Sequence, residues 1–181
     1  MRGNPQPVEP NANIEAALRR FYRWEVLAES PPILSVKLRY SGRDKDALTP
    51  VEKAADGTLT RSRLERTLRQ TEFLTIDALH TVPMGQLRRR KIRACGALAS
   101  QLFQDLRVPR AFIADQIRWW AGGPSFCIKS EAQWAEQLSC SVRTILYSRN
   151  GRPDRTKPGI AGVLDGAYNK ALWTVESEGL V

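Results

Sequence analysis

The chain has 181 residues, enough for one domain with a sizeable apolar core. It carries 28 Lys and Arg against 19 Asp and Glu, and this net charge of +9 favours a polyanionic partner such as nucleic acid. Three unclustered cysteines and a single histidine argue against a disulfide framework and a four-ligand zinc site. We therefore interpret Cys95, Cys127 and Cys140 as small buried thiols, with no metal.

The N-terminal residues 1–12 are polar and rich in proline, and they lack the apolar core of a signal peptide. This composition predicts a disordered leader followed by one domain over residues 13–181. No apolar run approaches the roughly 18 residues that would suggest a membrane span. We therefore expect a cytoplasmic protein with no membrane partner.

The first predicted helix is "IEAALRRFYRWEVLAE", which begins after Asn13. Its apolar side chains recur at helical spacing on one face: Ile14, Ala17, Leu18, Phe21 and Trp24. The next segment is broken by Pro31 and Pro32. Its "ILSVKLRY" run alternates, so that a short strand, a loop and a helical turn all stay open.

A second helix is predicted over "SRLERTLRQTEFLTIDALHTV", residues 62–82, from the spacing of its apolar residues. His80 lies near its C-terminal end. No partners for a catalytic histidine are apparent, and we expect His80 to cap the helix or to face solvent.

The following helix, "MGQLRRRKIRACGALASQLFQDL", carries a dense cationic run at its start. The run consists of Arg88, Arg89, Arg90, Lys91 and Arg93. It has two interpretations, a contact with phosphate or protein and a solvated helix end. An apolar face follows over residues 92–106.

Three more helical patterns lie further along the chain. "RAFIADQIRWWAGG" is expected to end at Gly122 and Gly123, and Ser130 to cap the next helix. "IAGVLDGAYNKALWTV" is expected to pack through Ile160, Val163, Leu164, Ala167, Leu172 and Trp173. The predicted fold is therefore all-α, a compact helical domain with basic loops.

The stretch "AEQLSCSVRTILYSRNGR" has the pattern of a helix-turn-helix near residues 130–150. Ala135 is the small residue inside the first helix, and Ser139 lies where the turn falls. Leu138, Val142 and Ile145 are the expected apolar anchors. An ordinary helical hairpin is the alternative.

The outer face of this unit suits DNA, because it combines hydroxyls with arginines that pair with guanine or phosphate. The predicted DNA-binding residues are Ser141, Arg143, Thr144, Tyr147, Ser148, Arg149 and Arg152. Arg155 and Lys157 extend the positive charge.

An enzyme is disfavoured, because the sequence has no phosphate-binding glycine loop, no metal-ligand spacing and no Ser-His-Asp set. We expect no catalysis and no cofactor. Two other classes stay open: a simple DNA-binding repressor or activator, and an RNA-binding or structural accessory protein. The RNA-binding or accessory class is supported mainly by the net charge, and the sequence shows no RRM or KH signature.

The order of several motifs resembles the phage antitermination protein Q family of the phage-21 type. "IEAALRRFYRWEVLAE" resembles the opening helix of the family, and "KIRACGALASQL" its middle helix. "QIRWWAGGPSF", with paired aromatics before Gly-Gly, is the most specific piece. "WAEQLSCSVRTI" and "IAGVLDGAYNKAL" are similar to its helix-turn-helix and closing helix. The resemblance spans residues 14–173, without a counterpart for residues 40–80 and 150–159.

The resemblance implies a transcription antitermination factor that drives late gene expression in a bacteriophage-infected cell. Such proteins bind double-stranded DNA near a late promoter and load onto paused bacterial RNA polymerase that retains sigma factor. They then form a nozzle at the RNA exit channel, through which nascent RNA is threaded, and terminators are read through. The basic run at residues 88–93 is then a nucleic-acid or polymerase contact. Whether one or two copies bind the DNA stays open.

Overall fold

The computed structural model describes residues 12–29, 49–153 and 158–180, and these residues form helices and connections without a strand. The predicted all-α fold class is confirmed. The helices are α1 (Ala12–Glu29), α2 (Pro50–Thr67), α3 (Gln70–His80), α4 (Gly85–Leu102), α5 (Arg110–Gly122), α6 (Glu131–Gln137), α7 (Val142–Asn150) and α8 (Ile160–Ser177). The predictions for the leader up to residue 11, for the strand, loop or helical turn at residues 33–40, and for Arg155 and Lys157 lie outside the described residues.

The single helix predicted over residues 62–82 is wrong, because the chain forms two helices there. Leu68 and Arg69 both adopt extended backbone, with ψ near 150°. The break leaves few backbone groups unsatisfied: the Leu68 amide donates to the Leu64 carbonyl, and the Arg69 amide donates to the Glu72 carboxylate at 3.2 Å. The bend directs apolar residues from both helices into one core.

The first of these helices also starts earlier than the sequence pattern suggested, at Pro50. Thr49 and Glu52 form a reciprocal cap: the Glu52 amide donates to the Thr49 hydroxyl, and the Thr49 amide donates to the Glu52 carboxylate. The Thr49 hydroxyl also donates to the Glu52 carboxylate at 2.7 Å, and this hydrogen bond, together with the one from the Thr49 amide, lowers the pKa of Glu52. Proline is tolerated at the first helical position, where its missing N–H would have no partner.

Two apolar clusters form the interior. One joins α4, α5, α6 and α7 with the start of α8, and it contains Cys95, Leu98, Phe112, Ile117, Trp134 and Ile145. The other joins α1, the end of α2, α3 and the rest of α8 around Leu18, Tyr22, Leu64, Ile76, Leu172 and Val175. Since α8 contributes to both clusters, it connects the two halves of the described fold.

A buried ionic network ties α1 to the three helices that follow it. Glu25 and Asp77 are almost fully buried, and both are ion-paired with Arg61 and Arg90. Burial raises the pKa of Glu25 even though Arg90 donates a hydrogen bond to it. Removing one partner would leave a buried charge uncompensated, which is costly.

Two predictions about individual side chains are wrong. His80 is neither a solvent-exposed residue nor a charged cap: it is buried, and its Nε2 shares a 2.8 Å hydrogen bond with the Tyr168 hydroxyl on α8. Burial lowers the pKa of His80 to about 4, so the ring is neutral at pH 7. Trp173 does not pack, because it lies on the outer face of α8 with 68% of its surface exposed.

Candidate nucleic-acid interface

A buried aspartate on α5 fixes the position of α6. The Asp115 carboxylate accepts hydrogen bonds from the backbone amides of Ile128 and Lys129, at 2.7 and 3.1 Å, and from the Trp134 indole at 2.7 Å. Three donors compensate the desolvation of this carboxylate. The connection from α5 to α6 is therefore held tightly, although no periodic pattern in the sequence marked Asp115.

The start of α6 follows the prediction. Ser130 caps the helix: its hydroxyl accepts from the Gln133 amide at 3.3 Å, and its own amide donates to the Gln133 side chain at 2.8 Å. On the preceding helix, Gly123 has φ 74° just beyond the last residue of α5, a conformation that favours glycine. The predicted stop at Gly122 and Gly123 is confirmed.

The turn between α6 and α7 has the geometry of a left-handed helix cap. Ser139 has φ 49°, its amide donates to the Glu136 carbonyl, and the Cys140 amide donates to the Ala135 carbonyl at 2.9 Å. Ala135 is buried, as expected of the small residue in the first helix. Ser139 therefore occupies a backbone conformation in which glycine is commonest, and the assignment of the pair as a helix-turn-helix stays a prediction.

The expected apolar anchors divide into two groups. Ile145 is fully buried and Leu138 is half-buried against the first cluster. The prediction for Val142 is wrong: it is 41% exposed, at the first residue of α7 beside a groove that also contains Trp119 and Ile128. Of the three expected anchors, Ile145 is therefore the buried one on α7, and Leu138 packs at the end of α6.

The outer face of α7 carries a two-arginine cluster around one phenol. The Nε of Arg143 donates to the Tyr147 hydroxyl at 2.7 Å. The guanidinium carbons of Arg143 and Arg152 lie 5.3 and 5.6 Å from the centroid of the Tyr147 ring. This arrangement fixes both arginines through hydrogen bonding and cation–π attraction. We call Arg143, Tyr147 and Arg152 the arginine–tyrosine cluster.

The predicted hydroxyls border this cluster. Ser141 caps α7, since its Oγ accepts from the Thr144 amide at 3.2 Å and lies 3.0 Å from the Thr144 hydroxyl. Ser148 is half-buried and donates to the Thr144 carbonyl at 3.0 Å. Ser141 and Thr144 are exposed at the N-terminal end of the helix, where the helix dipole favours anions.

The structure contradicts the expected outward placement of Arg149. This side chain is only 3% exposed; its Nε donates to Gln116 at 2.9 Å, and its Nη1 donates to Glu131 at 2.6 Å. Its guanidinium also stacks on Trp119. Arg149 follows the buried Ile145 by four residues, and this spacing was the signal in the sequence that it faces inward.

The cationic run on α4 contains both exposed and buried side chains. Arg88, Arg89 and Arg93 are exposed. Arg90 belongs to the buried ionic network, and Lys91 is 3% exposed with its Nζ donating to the Leu79 carbonyl at 3.1 Å. The expectation of one continuous contact surface is therefore wrong for Arg90 and Lys91.

The three cysteines are free thiols. Cys95 is buried, and burial raises its pKa to about 12, whereas Cys127 and Cys140 are half-buried. Within the described ranges, no three side chains of His, Cys, Asp or Glu are grouped to hold a metal ion. No helix in the same ranges has the length and apolar character needed to cross a membrane.

Comparisons of the chain with family models, with curated proteins and with solved structures give no match. The resemblance to the antitermination protein Q family therefore depends on the order of the motifs quoted above.

Proposed function

We propose that this protein is a phage transcription antitermination factor that binds double-stranded DNA through the arginine–tyrosine cluster and the N-terminal end of α7. The observation that carries the DNA-binding part is the exposed pairing of Arg143 and Arg152 around Tyr147, beside the Ser141 cap. The antitermination part rests on the resemblance of the sequence motifs.

The charges around the cluster favour a phosphate backbone. Within the described chain, neither Arg143 nor Arg152 forms an ion pair with a carboxylate, so both keep their charge for a partner. The terminal nitrogens of Arg143 are not used by the bond to Tyr147, which involves Nε. An arginine oriented in this way suits bidentate contact with guanine or phosphate.

The exposed arginines of α4 supply a second cationic surface for the same function. In the proposed complex, Arg88, Arg89 and Arg93 contact RNA polymerase that retains sigma factor, or the nascent RNA at its exit channel. The protein then acts in the cytoplasm of the bacterial host. Two separate surfaces would let it hold DNA while it loads onto polymerase.

A DNA-binding repressor or activator without antitermination activity is the second candidate. It is favoured by the packing of α4, where Cys95, Leu98 and Ala99 lie in the core and are not available to polymerase. A regulator of this kind needs only the DNA surface.

Two linked experiments test the proposal. Selection from a random duplex pool with the full chain should yield one enriched DNA element, and a template carrying that element beside a promoter and upstream of a terminator is then transcribed with polymerase and sigma factor. We expect readthrough that depends on the element and persists when the terminator is moved downstream. The double variant Arg143→Ala, Arg152→Ala should abolish it.

A matched double variant on α2, Arg63→Ala with Arg66→Ala, removes the same charge from exposed positions elsewhere and should retain readthrough. Selective DNA binding without readthrough would establish the regulator instead. If no element is enriched and binding has the same affinity for every duplex, the proposed sequence-specific interface is refuted.

A further inference from the structure

A solvent-open cleft of about 490 Å³ lies between α1, the α3–α4 connection and α4. Its walls are formed by Glu15, Arg19 and Arg23 on α1, the segment Leu79–Pro83, and Lys91 on α4. Neither the DNA-binding surface nor the exposed arginines of α4 use this cleft.

Lys91 is the unusual member of the lining. Its side chain is almost fully buried, yet within the described residues no carboxylate forms an ion pair with it. One of its three donors goes to the Leu79 carbonyl, and the ammonium lies 5.5 Å from the centroid of the Phe126 ring. A lysine that only caps a helix keeps its other donors in water, whereas Lys91 has little contact with bulk solvent.

The remaining charges in the cleft define the ligand it would take. Glu15 is neutralised by Arg19, at 2.6 Å. Arg23 and Lys91 then remain without a carboxylate partner among the described residues, and His80 is neutral because burial lowers its pKa. The lining therefore has an excess of two positive charges around a concave surface.

We propose that this cleft binds a phosphate group, with Lys91 and Arg23 as its charged ligands. A phosphate group supplies negative charge opposite the two cations. Its oxygens can also accept hydrogen bonds from the donors of Lys91 that the Leu79 carbonyl does not use. Burial lowers the pKa of Lys91, and a bound anion opposes this effect because it favours the charged ammonium.

The test is a titration of the full chain with inorganic phosphate by isothermal calorimetry, with chloride keeping the ionic strength constant. We expect saturable binding by the wild-type chain, roughly tenfold or more weaker binding by Lys91→Met, and several-fold weaker binding by Arg23→Gln, because charge-assisted hydrogen bonds are lost. Arg66→Gln, an exposed arginine of α2 outside the cleft, should bind phosphate like the wild type.

Absence of saturable binding by the wild-type chain would overturn the proposal, and so would unchanged affinity in Arg23→Gln and Lys91→Met. If Lys91→Met fails to fold, the exposed Arg23→Gln decides alone. DNA affinity measured on the same variants identifies the source of the phosphate. An unchanged DNA affinity means a free phosphate compound, and a parallel loss means a phosphate of the nucleic-acid backbone.

Discussion

The guanidinium carbon of Arg149 lies 4.1 Å from the centroid of the Trp119 indole, inside the contact between α7 and α5. The same guanidinium donates to Gln116 on α5 and to Glu131 on α6. One arginine thus joins three helices, and it orients the helix that carries Arg143 at its other end. Its role is to position α7, whereas Arg143 is available to a partner.

The first prediction is that replacing Arg149 and replacing Arg143 have different effects on the free energy of unfolding. Arg149→Ala should lower the free energy of unfolding by about 2–3 kcal/mol, because Gln116 loses its partner in the interior and the stacking on Trp119 is lost. Arg143→Ala, at an exposed position, should stay within about 0.5 kcal/mol of the wild type. Urea unfolding followed by tryptophan fluorescence measures both. Equal losses would contradict the division into a positioning and a contact residue.

Local periodicity predicted the long helices because their apolar residues recur on one face, as in α1, α5 and α8. It failed at Leu68 and Arg69, where neither glycine nor proline marks the break and tertiary packing decides the bend. Charge alone was also misleading. Lys91 lies four residues after the buried Leu87 and four before the buried Cys95. This helical spacing indicates that Lys91 faces the interior, whereas its charge alone suggested a solvent-exposed position.

No local pattern in the sequence could predict contacts between residues that are far apart along the chain. The contacts of Glu25 and Asp77 with Arg61 and Arg90 depend on the way four helices are arranged. For the candidate interface, the sequence predicted the turn at Ser139 and the exposed Arg143. The cluster of Arg143 with Arg152 around one ring needed the structure, because it depends on how the chain leaves α7.

The second prediction concerns DNA recognition by Arg143. If it reads a base, Arg143→Ala should weaken binding to the selected element by about 1–3 kcal/mol and leave binding to unrelated duplexes less affected. Tyr147→Phe keeps the aromatic ring but removes the acceptor for Arg143 Nε, and we expect a smaller loss in the same direction. Fluorescence anisotropy at fixed salt measures both variants.

The salt dependence of the same binding distinguishes a base contact from a phosphate contact. A phosphate contact would make Arg143→Ala weaken all duplexes uniformly and reduce the salt slope by about one unit. Arg152→Ala, tested in parallel, shows whether the second arginine of the cluster behaves alike. Unchanged affinity in Arg143→Ala would remove this residue from the interface.

The third prediction uses the backbone strain at Ser139. Its φ of 49° is costly for a residue with a Cβ, and glycine adopts this conformation readily. Ser139→Gly should therefore raise the free energy of unfolding by about 0.5–1 kcal/mol, after allowing for the greater entropy of glycine in the unfolded chain. Ser62→Gly, inside α2, is the matched control and should destabilise the protein. Destabilisation by both changes would mean that the turn at Ser139 is not strained.

The fourth prediction concerns pH and rests on His80, the single histidine of the chain. Burial lowers its folded-state pKa from 6.5 to about 4, an effect that Glu15 opposes and Arg19 reinforces. Between these values the unfolded chain binds a proton that the folded chain does not, so the stability contribution of the neutral ring is complete above pH 6.5 and is lost as the pH falls. From about pH 7 to about pH 5, His80 should lower the free energy of unfolding by about 2 kcal/mol.

His80→Gln cannot gain this proton, and the difference between the two proteins in urea unfolding isolates the effect. Glu25, whose pKa burial raises, titrates with the opposite sign in both proteins and cancels in that difference. Parallel pH profiles for the wild type and His80→Gln would show that the buried ring does not control acid stability.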